Sequence, residues 1–201
     1  AITRLNLETL QRRKLDSAQQ EKIIDITLQE NGRLNDLCEN ILLVTRMDSG
    51  HYMLHPEDLD LSELLHASAS NLRARFPKRL ITESIKPGIN FNGDKLLLHL
   101  LFNNLIENAI KYSPADKPVE IRLNREDGRT LVEIMDHGAG IPEAEKKKIF
   151  EKFYRSGNEN TRAAKGTGLG LYLSQKIAED HNTKIGIRDN HPSGSIFTIE
   201  F

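Results

Sequence analysis

Apolar residues follow two rhythms along this chain, one helical throughout and one that mixes helical with alternating spacing. In the first fifty residues, Ile2, Leu5, Leu7 and Leu10 form a short apolar face, interrupted by Arg12-Arg13-Lys14. Asp16 or Ser17 can cap the next helix, with Glu21 early in it. Ile23, Ile24, Leu28, Leu34, Leu37, Cys38, Ile41, Leu42 and Val44 then recur at helical spacing. Leu34, Leu37, Ile41 and Val44 alternate steps of three and four, the seam of a coiled coil. A two-helix hairpin cannot bury such a seam alone, so a four-helix bundle built from two copies is expected. A hairpin folding back on its own C-terminal domain is the alternative.

Asp48-Ser49-Gly50 ends the helix, and residues 51–60, with Pro56, read as a linker. The pattern then predicts helices over 61–76, 94–112 and 169–181, and a short one over 143–150. Strands are predicted at 81–85, 89–92, 119–124 and 130–136, the last two joined around Asp127-Gly128. A closing hairpin pairs 184–188 with 195–201. Residues 154–167 hold several Gly and Asn and few apolar groups, and read as a long mobile loop. The fold class is α+β: a two-layer sandwich of a mixed, largely antiparallel sheet with helices on one face, behind a helical hairpin. The expected division is 1–57 for the hairpin and linker and 58–201 for the second domain.

The 201 residues are 38% hydrophobic and 28% charged, enough for a packed core. Lys and Arg number 28 against 29 Asp and Glu, a net charge of -1. That balance argues against gripping nucleic acid or an anionic membrane through bulk charge. Lys146-Lys147-Lys148 reads as a solvated face. The single cysteine, Cys38, excludes an intrachain disulfide and fits a reducing, cytosolic compartment. No apolar run approaches the ~20 residues of a membrane-spanning helix. The chain opens on Ala1, directly inside a helical pattern, as expected of a piece of a longer protein.

Three clusters interrupt elements that otherwise are apolar. Asn104 and Asn108 stand four apart on one helix face, with Lys111 one turn further along. Amide oxygens suit Mg²⁺, and a lysine one turn on can reach a phosphate; taken alone, a solvent-facing polar stripe is the favoured reading. Asp136-His137-Gly138-Ala139-Gly140-Ile141-Pro142 follows a strand. Its glycines let backbone approach a flat ligand while the carboxylate accepts from an exocyclic amine; a plain glycine-rich turn fits equally well. Gly166-Thr167-Gly168-Leu169-Gly170-Leu171 opens a helix, where free N–H groups and the helix dipole favour phosphate. Leu171 stands where a dinucleotide fingerprint needs Gly, and no GxxxxGK[ST] loop is present.

In this order and spacing the clusters resemble the nucleotide-binding domain of sensor histidine kinases, in the superfamily shared with gyrase, the large heat-shock chaperone and mismatch-repair ATPases. Residues 104–113 resemble its N box, 136–140 its first glycine box and 166–170 its second. Phe150-Glu151-Lys152-Phe153-Tyr154-Arg155 resembles the F box, and Gly194-Ser195-Ile196-Phe197 the final glycine-containing strand. Residues 44–50 resemble the end of the dimerisation and histidine-phosphotransfer hairpin. The resemblance implies ATP and Mg²⁺ as cofactors, with Asn108 as metal ligand and Asn104, Asn108 and Lys111 as the catalytic set. It implies that Tyr112 helps hold the triphosphate and that Asp136 binds the adenine amino group, with Gly138, Gly140 and Ile141 beside it. Residues 150–166 become the ATP lid, with Phe153 and the cations Arg155 and Lys165. Gly166, Thr167, Gly168, Leu169 and Gly170 shape the phosphate side, and Ser195 adds a contact near the base. Glu107 receives no role.

None of the seven histidines is followed by the family's H box, so the resemblance places the phospho-acceptor roughly two helical turns before Ala1. The implied function is ATP-dependent protein-histidine kinase activity with relay to a response regulator aspartate. The chain would act as a homodimer, in the cytoplasmic portion of a membrane-bound sensor, without itself touching membrane or nucleic acid. The alternatives are a degenerate dimerising, partner-binding module and an ATPase of the same superfamily. Those ATPases place a Glu where Asn104 stands.

Overall fold

The computed structural model describes residues 2–12, 15–126, 128–155 and 166–201. The chain separates into two compact units, 1–52 and 53–201. The first is a hairpin of α1 (Ile2–Arg12) and α2 (Ser17–Asp48). Asp16 fixes where α2 begins: its carboxylate accepts from the Gln19 N–H at 2.7 Å, and Gln19 Oε1 accepts from the Asp16 N–H at 3.4 Å. This is a reciprocal capping box. Along the expected seam Leu34 and Ile41 are exposed, at 57% and 41%, Leu37 is half-buried and Val44 is buried.

The second unit is built on a five-stranded sheet. Its strands are β2 (Ile81–Ile85), β4 (Val119–Glu126), β5 (Arg129–Met135), β6 (Lys184–Asp189) and β7 (Ser195–Glu200), in the order β2-β4-β5-β7-β6. β2 and β4 run parallel and the other pairs antiparallel, as the mixed sandwich requires. Val119, Ile121 and Leu123 of β4 point into the core while Arg122 and Asn124 face out, the period-2 signature of a half-buried sheet. Helices α3 (Leu61–Arg75), α4 (Lys95–Tyr112) and α5 (Gly170–Asp180) cover the inner face.

α4 is the spine of this layer. Leu97, Leu98, Leu101, Phe102, Leu105 and Ile106 are all 1% exposed or less. Phe201, after β7, packs edge-on against Phe91 and Phe102, with ring centroids 4.8 and 6.4 Å away. The start of α4 is set by Asp94, one carboxylate oxygen accepting from the Leu97 N–H and the other from the His55 N–H, both at 3.1 Å. Asp60 caps α3 in the same way, through the N–H groups of Ser62 and Glu63.

Two segments differ from their expected form. Pro56–Asp60, expected as linker, is strand β1, paired antiparallel with β3 (Asn90–Asp94). Proline is tolerated at the first residue of a strand, and Leu59 gains Phe91 as its opposite neighbour. The helix expected over 143–150 is instead two 3-10 turns, Glu143–Glu145 and Lys148–Phe150. With Ile149 its only buried residue, the stretch has no apolar stripe to hold an α-helix down. Of the loop expected at 154–167, residues 156–165 lie outside the described residues.

Because α4 carries the core, Leu101→Ala should cost about 2–5 kcal/mol in urea unfolding. Leu96→Ala, on the same helix but 70% exposed, should stay within about 0.5 kcal/mol of wild type.

Candidate functional site

The last two turns of α4 bring the polar stripe against the residues that open α5. Asn104, Asn108 and Lys111 are each half-buried. The Asn104 carboxamide faces Gly170: a Cβ there would lie 3.5 Å from Asn104 Oδ1. Asn104 Nδ2 is buried and has no hydrogen-bond partner among the described residues. Native interiors rarely leave such a donor unmet, so this group is suited to a ligand acceptor. Lys111 Nζ donates to Tyr112 Oη at 3.1 Å and sits 4.7 Å from the centre of its ring. The same ammonium lies 2.7 Å from where a Cβ on Gly166 would be, so only glycine fits there without displacing it.

The turn before α5 is clasped to the F-box segment. Gly168, at φ +74°, accepts through its carbonyl from the Phe153 N–H at 3.0 Å, and a Cβ on Gly168 would come within 2.7 Å of the Phe153 backbone. Phe153 itself holds φ 62° with its ring exposed, an uncommon conformation for a bulky residue. The Leu169 N–H is taken by Thr167 Oγ1 at 3.3 Å, and α5 begins with no side-chain cap among the described residues. Arg155 is half-buried, and Lys165 falls outside the described residues.

A second group of residues forms where β5 ends. Asp136 is 5% exposed, its Oδ1 accepting from the Gly138 N–H at 2.8 Å. Burial pushes this carboxyl above the ordinary range, opposed by the N–H groups of Gly138 and Ser195 and by the neighbouring His137. Its backbone N–H donates to Ser195 O at 2.9 Å, its carbonyl accepts from Asn190 Nδ2 at 2.9 Å, and Ser195 is 2% exposed. Gly140, at φ +77°, faces the Gly194 carbonyl, and Ile141 is half-buried next to it in sequence.

The two groups meet at the C-terminal end of α4. The Tyr112 carbonyl lies 2.6 Å from the Cβ that Gly138 lacks, and Ser113 Oγ accepts from the His137 N–H at 3.0 Å. Tyr112 thus faces the lysine with its side chain and the first glycine box with its backbone. Sequence reasoning included Ser113 in the N box without a role of its own and missed Asn190; the bonds of both depend on the tertiary fold. It also left Glu107 without a role, whereas Glu107 Oε1 pairs with Arg75 NH1 of α3 at 2.5 Å. Of the three lysines expected in solvent, Lys147 and Lys148 are exposed, while Lys146 bridges Glu143 and Asp189 at 2.7 and 2.9 Å.

Three substitutions test this site. Gly128 (φ +80°) has open space around it, so Gly128→Ala should cost only the left-handed backbone term, about 1–2 kcal/mol. Gly194→Ala should cost about 3 kcal/mol or more, because its Cβ would lie 2.0 Å from the Asp136 carbonyl oxygen. Asp136→Asn should raise the melting temperature of the ligand-free chain at pH 7–8. The raised carboxyl makes the charged folded state costly above its titration, and the cost fades as pH falls towards the ordinary value of 3.8. A melting-temperature series from pH 8 down to 4 should therefore show the variant's advantage shrinking towards the acid end.

A family model described as "Histidine kinase-, DNA gyrase B-, and HSP90-like ATPase" matches residues 93–201. The heme sensor protein HssS of Staphylococcus saprophyticus is 32% identical over 97% of this chain and 42% of its own length. The signal transduction histidine-protein kinase ArlS of Staphylococcus epidermidis is 31% identical over 94% of this chain and 41% of its own. The chain thus spans about two fifths of the length of the curated relatives it matches. Among solved structures, full-length ShkA in complex with AMPPNP aligns over 99% of this chain and 42% of its own, with TM-score 0.76 and 22% identity. Histidine kinase ThkA in complex with the response regulator protein TrrA aligns over 100% of this chain and 56% of that one, also with TM-score 0.76 and 22% identity. These two likenesses concern the fold. The matched span contains both residue groups that meet beneath Tyr112, and the chain belongs to the histidine kinase-, DNA gyrase B- and HSP90-like ATPase family.

Proposed function

We propose that residues 58–201 bind Mg·ATP and present its γ-phosphoryl group to a histidine, from which it passes to an aspartate of a response regulator. The observation that carries this reading is the unmet carboxamide of Asn104 among Asn108, Lys111, Gly166 and Gly170, one Tyr112 away from the buried Asp136. The Asp136 carboxylate can accept from the exocyclic amine of adenine, and Gly138 keeps the floor beside it low. The Lys111 ammonium and the positive end of the α5 dipole match phosphate oxygens. Among the described residues no cluster of three His, Cys, Asp or Glu could hold a metal. The donor set that the resemblance implies is the amide oxygen of Asn108 plus oxygens of the nucleotide and water, which suits Mg²⁺. When bound, Mg²⁺ would neutralise phosphate charge; the protein's own part is positioning and electrostatics.

Residues 1–57 serve, on this reading, as part of a dimerisation and phosphotransfer hairpin. The exposed Leu34 and Ile41 support a second copy of the chain as the partner that buries the seam. No H box occurs in the sequence, so the acceptor histidine would lie outside these residues. Among the described residues no helix is long and apolar enough to cross a membrane. The reading assigns the chain to the cytoplasmic portion of a sensor kinase such as the relatives named above.

Asn108→Ala should lower ATP affinity about 10- to 100-fold in Mg²⁺, since contacts to charged groups contribute about 1.5–3 kcal/mol. In EDTA the variant and wild type should differ far less. Titration calorimetry of both proteins in both buffers checks this, and equal affinities in Mg²⁺ would contradict the metal role.

A further inference from the structure

We infer that Asn190 is a positioning residue that sets how strongly the site discriminates a 6-aminopurine nucleotide from one lacking the amino group. The inference rests on the reading of Asp136 as the adenine-binding carboxylate. Asn190 does not belong to any of the glycine or asparagine clusters, and no role follows for it from the resemblance.

The regular β5–β7 ladder ends at the pair Met135 and Ile196. One step further, the Asp136 N–H still donates to Ser195 O at 2.9 Å, but among the described residues the N–H of Ser195 makes no return bond to the Asp136 carbonyl. The ladder is thereby diverted, and the Asp136 carbonyl needs another donor. Asn190 Nδ2 supplies it at 2.9 Å. The backbone N–H of Asn190 meanwhile donates to Gly194 O at 3.0 Å, closing the turn between β6 and β7. Gly194, at φ +112°, lies directly over the Asp136 peptide, where any side chain would collide with the carbonyl.

Asn190 therefore replaces one missing rung of the sheet with a side chain, and the rung it replaces holds the backbone of Asp136. The carboxylate is tied to that backbone through a single Cβ, with Oδ1 engaged by the Gly138 N–H. If the Asp136 peptide rotates, the carboxylate turns with it. A hydrogen bond to one exocyclic amine tolerates little misplacement, whereas stacking and phosphate contacts tolerate more. Removing the Asn190 donor should thus weaken amino-group recognition selectively.

The test uses ADP and purine riboside 5′-diphosphate, which lacks the 6-amino group, titrated with Mg²⁺ into wild type and Asn190→Ala. Wild type should prefer ADP, because a site built to pair an N–H rejects the analogue without it. In Asn190→Ala, ADP affinity should fall about five- to tenfold while the analogue changes less than about twofold, so that the preference collapses. Asn190→Asp keeps the size and loses the donor; it should show the same collapse and serves if the alanine variant does not fold. An unchanged preference, or an equal loss for both nucleotides, overturns the positioning role while leaving the adenine reading intact. A wild-type chain that binds both nucleotides equally overturns the reading of Asp136, and this inference with it.

Discussion

The close seating of the β5 end on the C-terminal end of α4 is the constraint on which the rest depends. Gly138 lies so near the Tyr112 carbonyl that a single added carbon would sit 2.6 Å from it, and Ser113 receives the next N–H along the turn. This contact fixes a buried acid from the sheet beside an amide- and lysine-bearing stripe from the helix. Glycine is required there for space, and at Gly194 for both space and backbone conformation. The site is thus a junction between elements: α4 supplies amides and an ammonium, the residue after β5 a desolvated carboxylate, and the start of α5 the positive end of a helix dipole.

Desolvation gives Asp136 its character. In water a carboxylate gains little from one amine, because solvent competes for both. At 5% exposure the competition is removed, and the cost appears as a carboxyl that resists ionisation. The two N–H groups and the nearby His137 recover part of that cost. Burial thus costs stability locally at this carboxyl.

Much of this was legible in the sequence because periodicity reports burial. The apolar run of α4 and the alternation of β4 gave the right elements in the right order, since both are dictated by the core they face. β1 was not legible: Pro-Glu-Asp-Leu-Asp has one apolar residue, and its identity as a strand comes from β3, which begins thirty positions later. The 143–150 stretch failed for a related reason, since its charges suit a helix but only Ile149 is buried. The candidate site was legible wherever polar residues or glycines interrupted an apolar pattern, as at Asn104, Asn108, Asp136 and Gly168. Ser113, Asn190 and the Arg75–Glu107 pair carry no such signal, because their partners are 24, 54 and 32 residues away along the chain.

The most direct measurement of the central claim is an NMR titration of the isotope-labelled chain with Mg·ADP, following backbone and side-chain amides. The account expects Gly138, Gly140, Gly166, Gly170 and Ser195, together with the side-chain amides of Asn104 and Asn108, to shift along one common binding curve. Shifts confined to the helical hairpin, or a nucleotide that leaves the Asn108 and Gly138 signals unmoved at saturation, would contradict it.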